Sequence, residues 1–385
     1  VRSLVASAMM AALIACGAAR ADPSPSPEAA SADAALDRAL QKLVAMPGGP
    51  LGVVAVVQRG DELKVHSFGT AKDGADRRPG ANMHMRIASV AKAFSGAAAL
   101  SLVSRGTLSL DDTIGKHLPE LPAAWANVTL RQLLGHTSGI PDYSKSTKFR
   151  EALEQSLLDA PKPQKLPEFI KGRGLTFTPG SKYRYSNTDN IIVALMVRAA
   201  IDNSYNRALK DQVYDPLELT RTSLPKGAAM PRPFIHGYDN DPDANPPEDV
   251  SELVAAGWAW ASGGVVSTPA ELNRFIRGYV GGRLFDAHTQ AEQREVIVDA
   301  HSEPPGPGQN SAGLAIFRYE TTCGTVWGHT GNTLGYTQFA AASGNGRRSV
   351  TVSINRQITP DVGAPGVFKA LRQAEELAVC AALAR

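Results

Sequence analysis

Arg86-Ile87-Ala88-Ser89-Val90-Ala91-Lys92-Ala93-Phe94-Ser95 follows a loop with Pro79 and Gly80 and runs into an Ala/Leu-rich stretch that reaches Val103. This pattern predicts a helix that begins near a serine and ends at Gly106. Residues three apart share a helix face, so Lys92 falls one turn beyond Ser89 on the same side. A serine hydroxyl is a poor nucleophile at neutral pH and needs a base in reach. A lysine serves once loss of water lowers its pKa. The helix start adds free backbone N–H groups and positive potential, which suit a developing oxyanion. Taken alone, the four residues Ser89 to Lys92 are also explained by a capping serine and a surface lysine.

The rest of the composition narrows the class. The chain has 385 residues, 43% of them hydrophobic and 20% charged, enough for a large core and too few charges for long disorder. Length alone allows two or three domains. The net charge of +3 is small, and Arg2 and Arg20 supply part of it from the start of the chain. That balance argues against nucleic acid as a partner. The eight histidines show no H-E-x-x-H spacing, so neither a metal nor a cofactor is expected. The absence of G-x-S-x-G argues against an α/β-hydrolase.

Residues 1–21 read as an export signal, with Arg2 as the charged start and Leu4 to Ala15 as an apolar stretch too short to span a membrane. Two cleavage readings stand side by side: Ala19-Arg20-Ala21 fits an A-x-A site, and Leu13-Ile14-Ala15-Cys16 resembles a bacterial lipobox that would leave Cys16 lipidated. Either gives an exported protein, periplasmic, envelope-bound or secreted, with membrane contact at most through an anchor on Cys16. Asp22 to Asp33, rich in Pro, Ser and Ala, reads as a flexible tether. Once Cys16 is removed or lipidated, Cys323 and Cys380 remain as one pair, and outside the cytoplasm such a pair is expected to be oxidised. Two separate buried thiols are the other reading.

Within 34–385 the patterns change twice. Ala34 to Val44 predicts an amphipathic helix, and Leu51 to Val57 with Leu63 to Phe68 a hairpin about Arg59-Gly60-Asp61. The middle predicts helices at Leu130 to Leu134, Phe149 to Leu158 and Asn187 to Ala200, and a capping box with Pro269 at Thr268 to Glu271. Strands follow at Leu314 to Tyr319, Thr325 to Gly328, Tyr336 to Ala342 and Ser349 to Ile354, then a helix over Val367 to Leu383. The expected fold is α/β (α+β). An antiparallel sheet, flanked by N- and C-terminal helices, is shared by the two ends of the chain (34–80 and 262–385). A mostly helical region (81–261) is inserted between them.

Two further segments carry chemistry. Tyr185-Ser186-Asn187 lies at a loop-to-helix junction. A tyrosine there acts as a base if a cation such as Lys92 lowers its pKa, and Asn187 could tie Lys92 in place and hold a substrate amide. A helix N-cap and a core tyrosine explain the same residues. His329-Thr330-Gly331 sits on or beside a strand. Gly331 would let another backbone approach, Thr330 offers a hydroxyl to a carboxylate, and His329 supplies positive charge when protonated. An ordinary strand end is the plain alternative.

Ser-x-x-Lys, Tyr-x-Asn and His-Thr-Gly, in this order, resemble the serine β-lactamase/penicillin-binding-protein family. The likeness is to the D-alanyl-D-alanine carboxypeptidases of its class C β-lactamase branch, and it runs from about Ala34 to the C-terminus. Leu133-Leu134-Gly135-His136-Thr137-Ser138-Gly139, Tyr183 beside Tyr185, and Val326-Trp327-Gly328 add to it. The resemblance implies a β-lactamase/transpeptidase-like fold and a two-step acyl transfer, in a monomer, on peptidoglycan stem peptides, other small acyl substrates or β-lactams. Ser89 would attack, Lys92 and Tyr185 would shuttle the proton, and the N–H groups of Ser89 and Asn332 would hold the oxyanion. Thr330 and His329 would face the substrate carboxylate. Many members carry Lys where His329 stands, so Arg318 on the preceding strand is a candidate second charge, or else a solvated strand residue. Trp258, ahead of Ser262-Gly263-Gly264, walls the pocket or packs in the core. An esterase or D-amino-acid amidase using the same residues is the rival enzyme, and a penicillin-sensing binding domain the non-enzyme alternative.

Overall fold

The computed structural model describes residues 26–241 and 243–385. The expected export signal and Cys16 lie outside them. In chain order the elements are helix α1 (Pro27–Ala45), strands β1 (Gly52–Arg59), β2 (Glu62–Gly69) and β3 (Met85–Arg86), and helices α2 (Ala91–Ser104), α3 (Ile114–His117), α4 (Leu130–Leu134), α5 (Thr147–Gln155), α6 (Asn187–Ile201) and α7 (Tyr205–Leu209). Then come β4 (Val266–Ser267), α8 (Pro269–Val280), α9 (Ala287–Gln293), β5 (Gln309–Ala312), β6 (Phe317–Thr321), β7 (Gly324–Thr333), β8 (Tyr336–Ala342), β9 (Arg348–Ile354) and α10 (Val367–Leu383).

Seven strands form one antiparallel sheet in the order β2-β1-β9-β8-β7-β6-β5. The N-terminal hairpin therefore joins the C-terminal meander through β1 and β9, with Val53 opposite Ile354 and Arg59 opposite Arg348. Helices α1 and α10 cover one face, where Leu36, Leu40 and Leu43 meet Leu371, Ala374 and Ala378 over Val53, Val352 and Phe339. Helix α8 covers the other face and joins the larger core built around α2 and α6. Helices α2 to α7, with the 3-10 turns among them, make up most of the inserted region.

Local chemistry explains where the expected elements shift. The tether does not persist to Asp33: Ser26 accepts from the Ala29 N–H and Pro27 opens α1, so the helix begins seven residues before Ala34. Asp33 is buried and paired with both guanidinium nitrogens of Arg59, at 2.9 and 2.8 Å, which fastens this helix to β1. At Thr268 the hydroxyl accepts from the Glu271 N–H, but Glu271 does not close the capping box. Its carboxylate accepts instead from Thr220, Arg221 and Thr222. Strand β6 starts later than expected because Ala315 turns the chain at φ +54°, and β5, a polar strand, carried no alternation to reveal it. Strand β7 runs on through His329-Thr330-Gly331. Helix α5 starts earlier, where Ser146 caps it, and ends at Gln155.

Cys323, in the β6–β7 turn, is bonded to Cys380 on α10, with the Cα atoms 5.2 Å apart. Among the described residues no helix is long and apolar enough to cross a membrane, and no cluster of metal-binding side chains occurs.

The disulfide closes a loop of 57 residues of sequence separation. On the chain-entropy account, Cys380→Ser is expected to lower the unfolding free energy by about 4 kcal/mol. Denaturant unfolding with and without reductant measures it; a wild-type midpoint indifferent to reduction would contradict this.

Candidate active site

The chain enters the site from β3, where Arg86 pairs with Val266 and the Ile87 N–H donates to Val265. Ala88 then adopts φ +49°, a left-handed conformation costly for a side chain with Cβ. This bend and a short 3-10 turn over Ala88–Val90 place Ser89 just ahead of α2. Strand β7 lies against the same turn: a Cβ on Gly331 would stand 2.7 Å from the Ile87 carbonyl oxygen and 2.9 Å from the Ser89 nitrogen. Gly331 admits a second backbone, as its type suggested, but the backbone it admits is the chain's own.

Lys92 has no exposed surface. Its Nζ lies 3.0 Å from Ser89 Oγ and donates to the Ser262 carbonyl at 2.7 Å. Burial pushes its pKa down to about 7, against the opposing pull of Asp142, Glu303 and Asp189. An amine balanced between its two protonation states thus touches the serine hydroxyl.

Tyr185 is buried beside both, with its ring centroid 5.0 Å from Lys92 Nζ and 4.6 Å from the His136 ring. Its hydroxyl is enclosed without a hydrogen-bond partner, and Ser89 is the neighbour that favours its ionised form. Burial drives its pKa well above the ordinary phenol value. The expected lowering by Lys92 is therefore not what the fold produces: burial, with Glu303 and Asp142 nearby, outweighs the opposing effect of Ser89, and the phenol stays protonated. Behind it, His136 Nδ1 lies 3.0 Å from Asp189 Oδ2, and Ser138 donates to Asp189 at 2.6 Å. Burial moves both partners toward their neutral forms, His136 down to about 3 and Asp189 well up.

Asn187 does not hold Lys92. Its Nδ2 donates to Asp142 Oδ2 and to Ser144 Oγ, both at 3.0 Å. Asp142 and Ser144 gave no sequence signal beyond following the Gly135–Gly139 stretch. His329 is fully buried, with Nδ1 turned to the Thr330 carbonyl at 2.5 Å and its ring edge-on to Phe317. Burial and nearby Lys92 lower its pKa to about 3, so it carries no positive charge at neutral pH. Thr330 is buried too, and donates its hydroxyl to the Pro304 carbonyl at 2.5 Å. Arg318 is paired with Glu320 and does not line the cleft. The three groups expected to bind a substrate carboxylate thus offer no free cation or donor: two are enclosed, and one is engaged elsewhere.

A cavity of about 310 Å³ opens over Ser89, lined among others by Tyr143, Tyr185, Asn187, Trp258, Glu303 and Asn332. Trp258 both walls this cavity and packs against Phe149, 5.6 Å between centroids. A larger groove of about 540 Å³ lies across the same 257–260 segment, beside Lys162, Arg198 and Trp260. None of the converging side chains reaches it, so size does not mark the reactive site.

A serine hydroxyl against an enclosed amine at a helix start, flanked by an antiparallel strand, defines a serine hydrolase of the acyl-transfer type. The chain belongs to the Beta-lactamase family, whose profile matches residues 36–373. It is similar to D-alanyl-D-alanine-carboxypeptidase/endopeptidase AmpH of Escherichia coli K12, 26% identical over 303 residues, 77% of this chain and 74% of that protein. It is 29% identical over 200 residues to penicillin-binding protein 4* of Bacillus subtilis, a match that takes in 49% of this chain and 42% of the relative's own length. Among solved structures, a D-stereospecific amidohydrolase from Streptomyces sp. superposes with TM-score 0.76 at 27% identity, covering 89% of this chain and 98% of that one. The D-amino acid amidase of Ochrobactrum anthropi SV3 with D-phenylalanine shares the fold, with TM-score 0.78 at 22% identity over 90% and 98%.

Because the Lys92 amine is reactive only when neutral, and its pKa is near 7, acylation is expected to rise with pH through about 7 and then level. Lys92→Met should lower kcat/KM by about 100- to 10,000-fold and abolish that limb. A pH–rate profile of both proteins tests this; an unchanged limb in Lys92→Met would assign it to another group.

Proposed function

We propose that this serine hydrolase cleaves amide bonds at D-amino-acid residues through an acyl-enzyme on Ser89. The observation that carries the reading is the 3.0 Å approach of Ser89 Oγ to Lys92 Nζ. Lys92, in its neutral form, accepts the serine proton as Oγ forms its bond to the substrate carbonyl carbon. The oxyanion forms against the N–H groups of Ser89 and Asn332, two residues that line the cavity. The Tyr185 phenol, protonated, passes a proton to the leaving nitrogen as the carbon–nitrogen bond breaks and is itself reprotonated from Lys92. Water then attacks the serine ester, its proton returns through Lys92, and the bond to Oγ breaks.

D-alanyl-D-alanine carboxypeptidase action on peptidoglycan stem peptides is the narrower reading, supported by the name of the E. coli relative. D-amino-acid amide hydrolysis is the second, favoured because His329 is neutral and Arg318 is paired with Glu320, so neither supplies a charge for a C-terminal carboxylate. An extracytoplasmic site of action accords with the Cys323–Cys380 bond.

Mass spectrometry after incubation with a labelled penicillin is expected to place an adduct on Ser89, with none in Ser89→Ala. Turnover of D-alaninamide, acyl-D-Ala-D-Ala and a short-chain ester should fall at least 1,000-fold in that variant, on the scale of lost nucleophiles. An adduct on another residue, or full turnover by Ser89→Ala, would overturn the assignment. Binding without turnover of any substrate would favour a sensor.

A further inference from the structure

One carboxylate in the cleft has no part in acyl transfer as described. Glu303 lines the cavity over Ser89 and is about half exposed (47%). Its backbone is clamped on both sides. The His301 carbonyl accepts from Tyr183 Oη at 2.6 Å, the Glu303 carbonyl from Asn332 Nδ2 at 3.4 Å, and the Pro304 carbonyl from Thr330 Oγ1 at 2.5 Å. The side chain is the part left free. Its ion-pair partner is Lys145, 3.6 Å away and 63% exposed, a contact of a kind that contributes little and yields readily to a competitor.

Asn187 adds a second acceptor. A carboxylate only accepts, so the bond to Asp142 fixes which end of the amide carries nitrogen. Both Nδ2 hydrogens are then taken by Asp142 and Ser144, and among the described residues no donor reaches Oδ1. Ser144 gives its own hydrogen to Asp142 at 2.8 Å. On this side the cavity presents oxygen acceptors, while the Thr330 hydroxyl is spoken for and His329 is enclosed.

We propose that Glu303, with the amide oxygen of Asn187, receives a protonated amine carried by the substrate beside the scissile carbonyl. The acyl donors selected are D-aminoacyl amides, esters or peptides with a free α-amino group, and a carboxylate at that place is disfavoured. This rests on the acyl-transfer reading and narrows its substrate class.

The test compares D-alanine p-nitroanilide with its N-acetyl form on the full-length protein, reading the ratio of their kcat/KM values. Wild type is expected to favour the free amine, and Glu303→Gln to reduce that ratio about 10- to 100-fold, the range for a lost charged hydrogen bond. The preference should fade above pH 8 as the α-amino group loses its proton. Glu303→Lys should invert it. Lys145→Ala, which removes the competing cation, should preserve or raise the ratio. A wild-type preference for the N-acetyl form, an unchanged ratio in Glu303→Gln, or a Lys145→Ala ratio that drops as Glu303→Gln does would overturn the inference. Penicillin labelling of Ser89 in the same preparation separates the two failures. A labelled serine without amine preference sinks this inference alone, and an unlabelled, inactive protein sinks the acyl-transfer reading with it.

Discussion

The site depends on keeping one amine dry. A lysine side chain with no exposed surface is costly to hold charged, and the cost appears as a pKa brought down to about 7. The fold arranges this by enclosing nearly the whole of α2, whose Ala91 to Leu102 are buried on every side. An all-round apolar helix belongs in a core, and its small residues let α6 and, at Gly96, the Ala315 turn approach it closely. One carbonyl, that of Ser262, then meets the ammonium form where water would otherwise stand. Remove the enclosure and Lys92 becomes an ordinary protonated lysine, unable to take a proton from Ser89.

Enclosure alone would leave the serine unaimed. Its aim comes from two backbone constraints that oppose each other. Ala88 is bent into φ +49°, which lifts Ser89 off the line of α2. Gly331 brings β7 to within van der Waals range of the same turn, so the bent segment cannot relax outward. Strain of this kind persists only where the surroundings over-determine it. The sheet supplies that rigidity because β7 is an interior strand, paired with β6 through Gly328 and with β8 as far as Thr333.

Much of this was legible in the chain itself. The two-ended sheet followed from hairpin and meander patterns, and three short motifs in order marked the segments that meet over Ser89. What stayed hidden was whatever depends on tertiary burial. A lysine beside Tyr185 suggests a lowered phenol pKa, but the sequence does not show that the hydroxyl is walled off. His329 reads as a cation until Phe317 encloses it. Asn187 has several partners within sequence logic, and only the fold brings Asp142 and Ser144 to it. Glu303 sits in a Pro/Gly-rich loop without periodicity, where position follows from the clamps on β7 rather than from local propensity. At the N-terminal end, composition suggested a tether over Asp22 to Asp33, yet a capping serine and the Asp33–Arg59 pair were enough to extend α1 into it.

The charges around the nucleophile connect selection with activation. Asp142 and Glu303 pull the Lys92 pKa upward, against burial. An ammonium ion seated on Glu303 would cancel one of those pulls and bring a positive charge toward the amine. Both effects favour the neutral form of Lys92. A bound cationic substrate would therefore sharpen the base that attacks it, whereas a neutral N-acylated analogue would leave the amine more protonated. In such a cleft the carboxylate that discriminates between substrates and the carboxylate that tunes the base are the same group, and recognition of the charge is expressed in the rate of acylation as well as in binding.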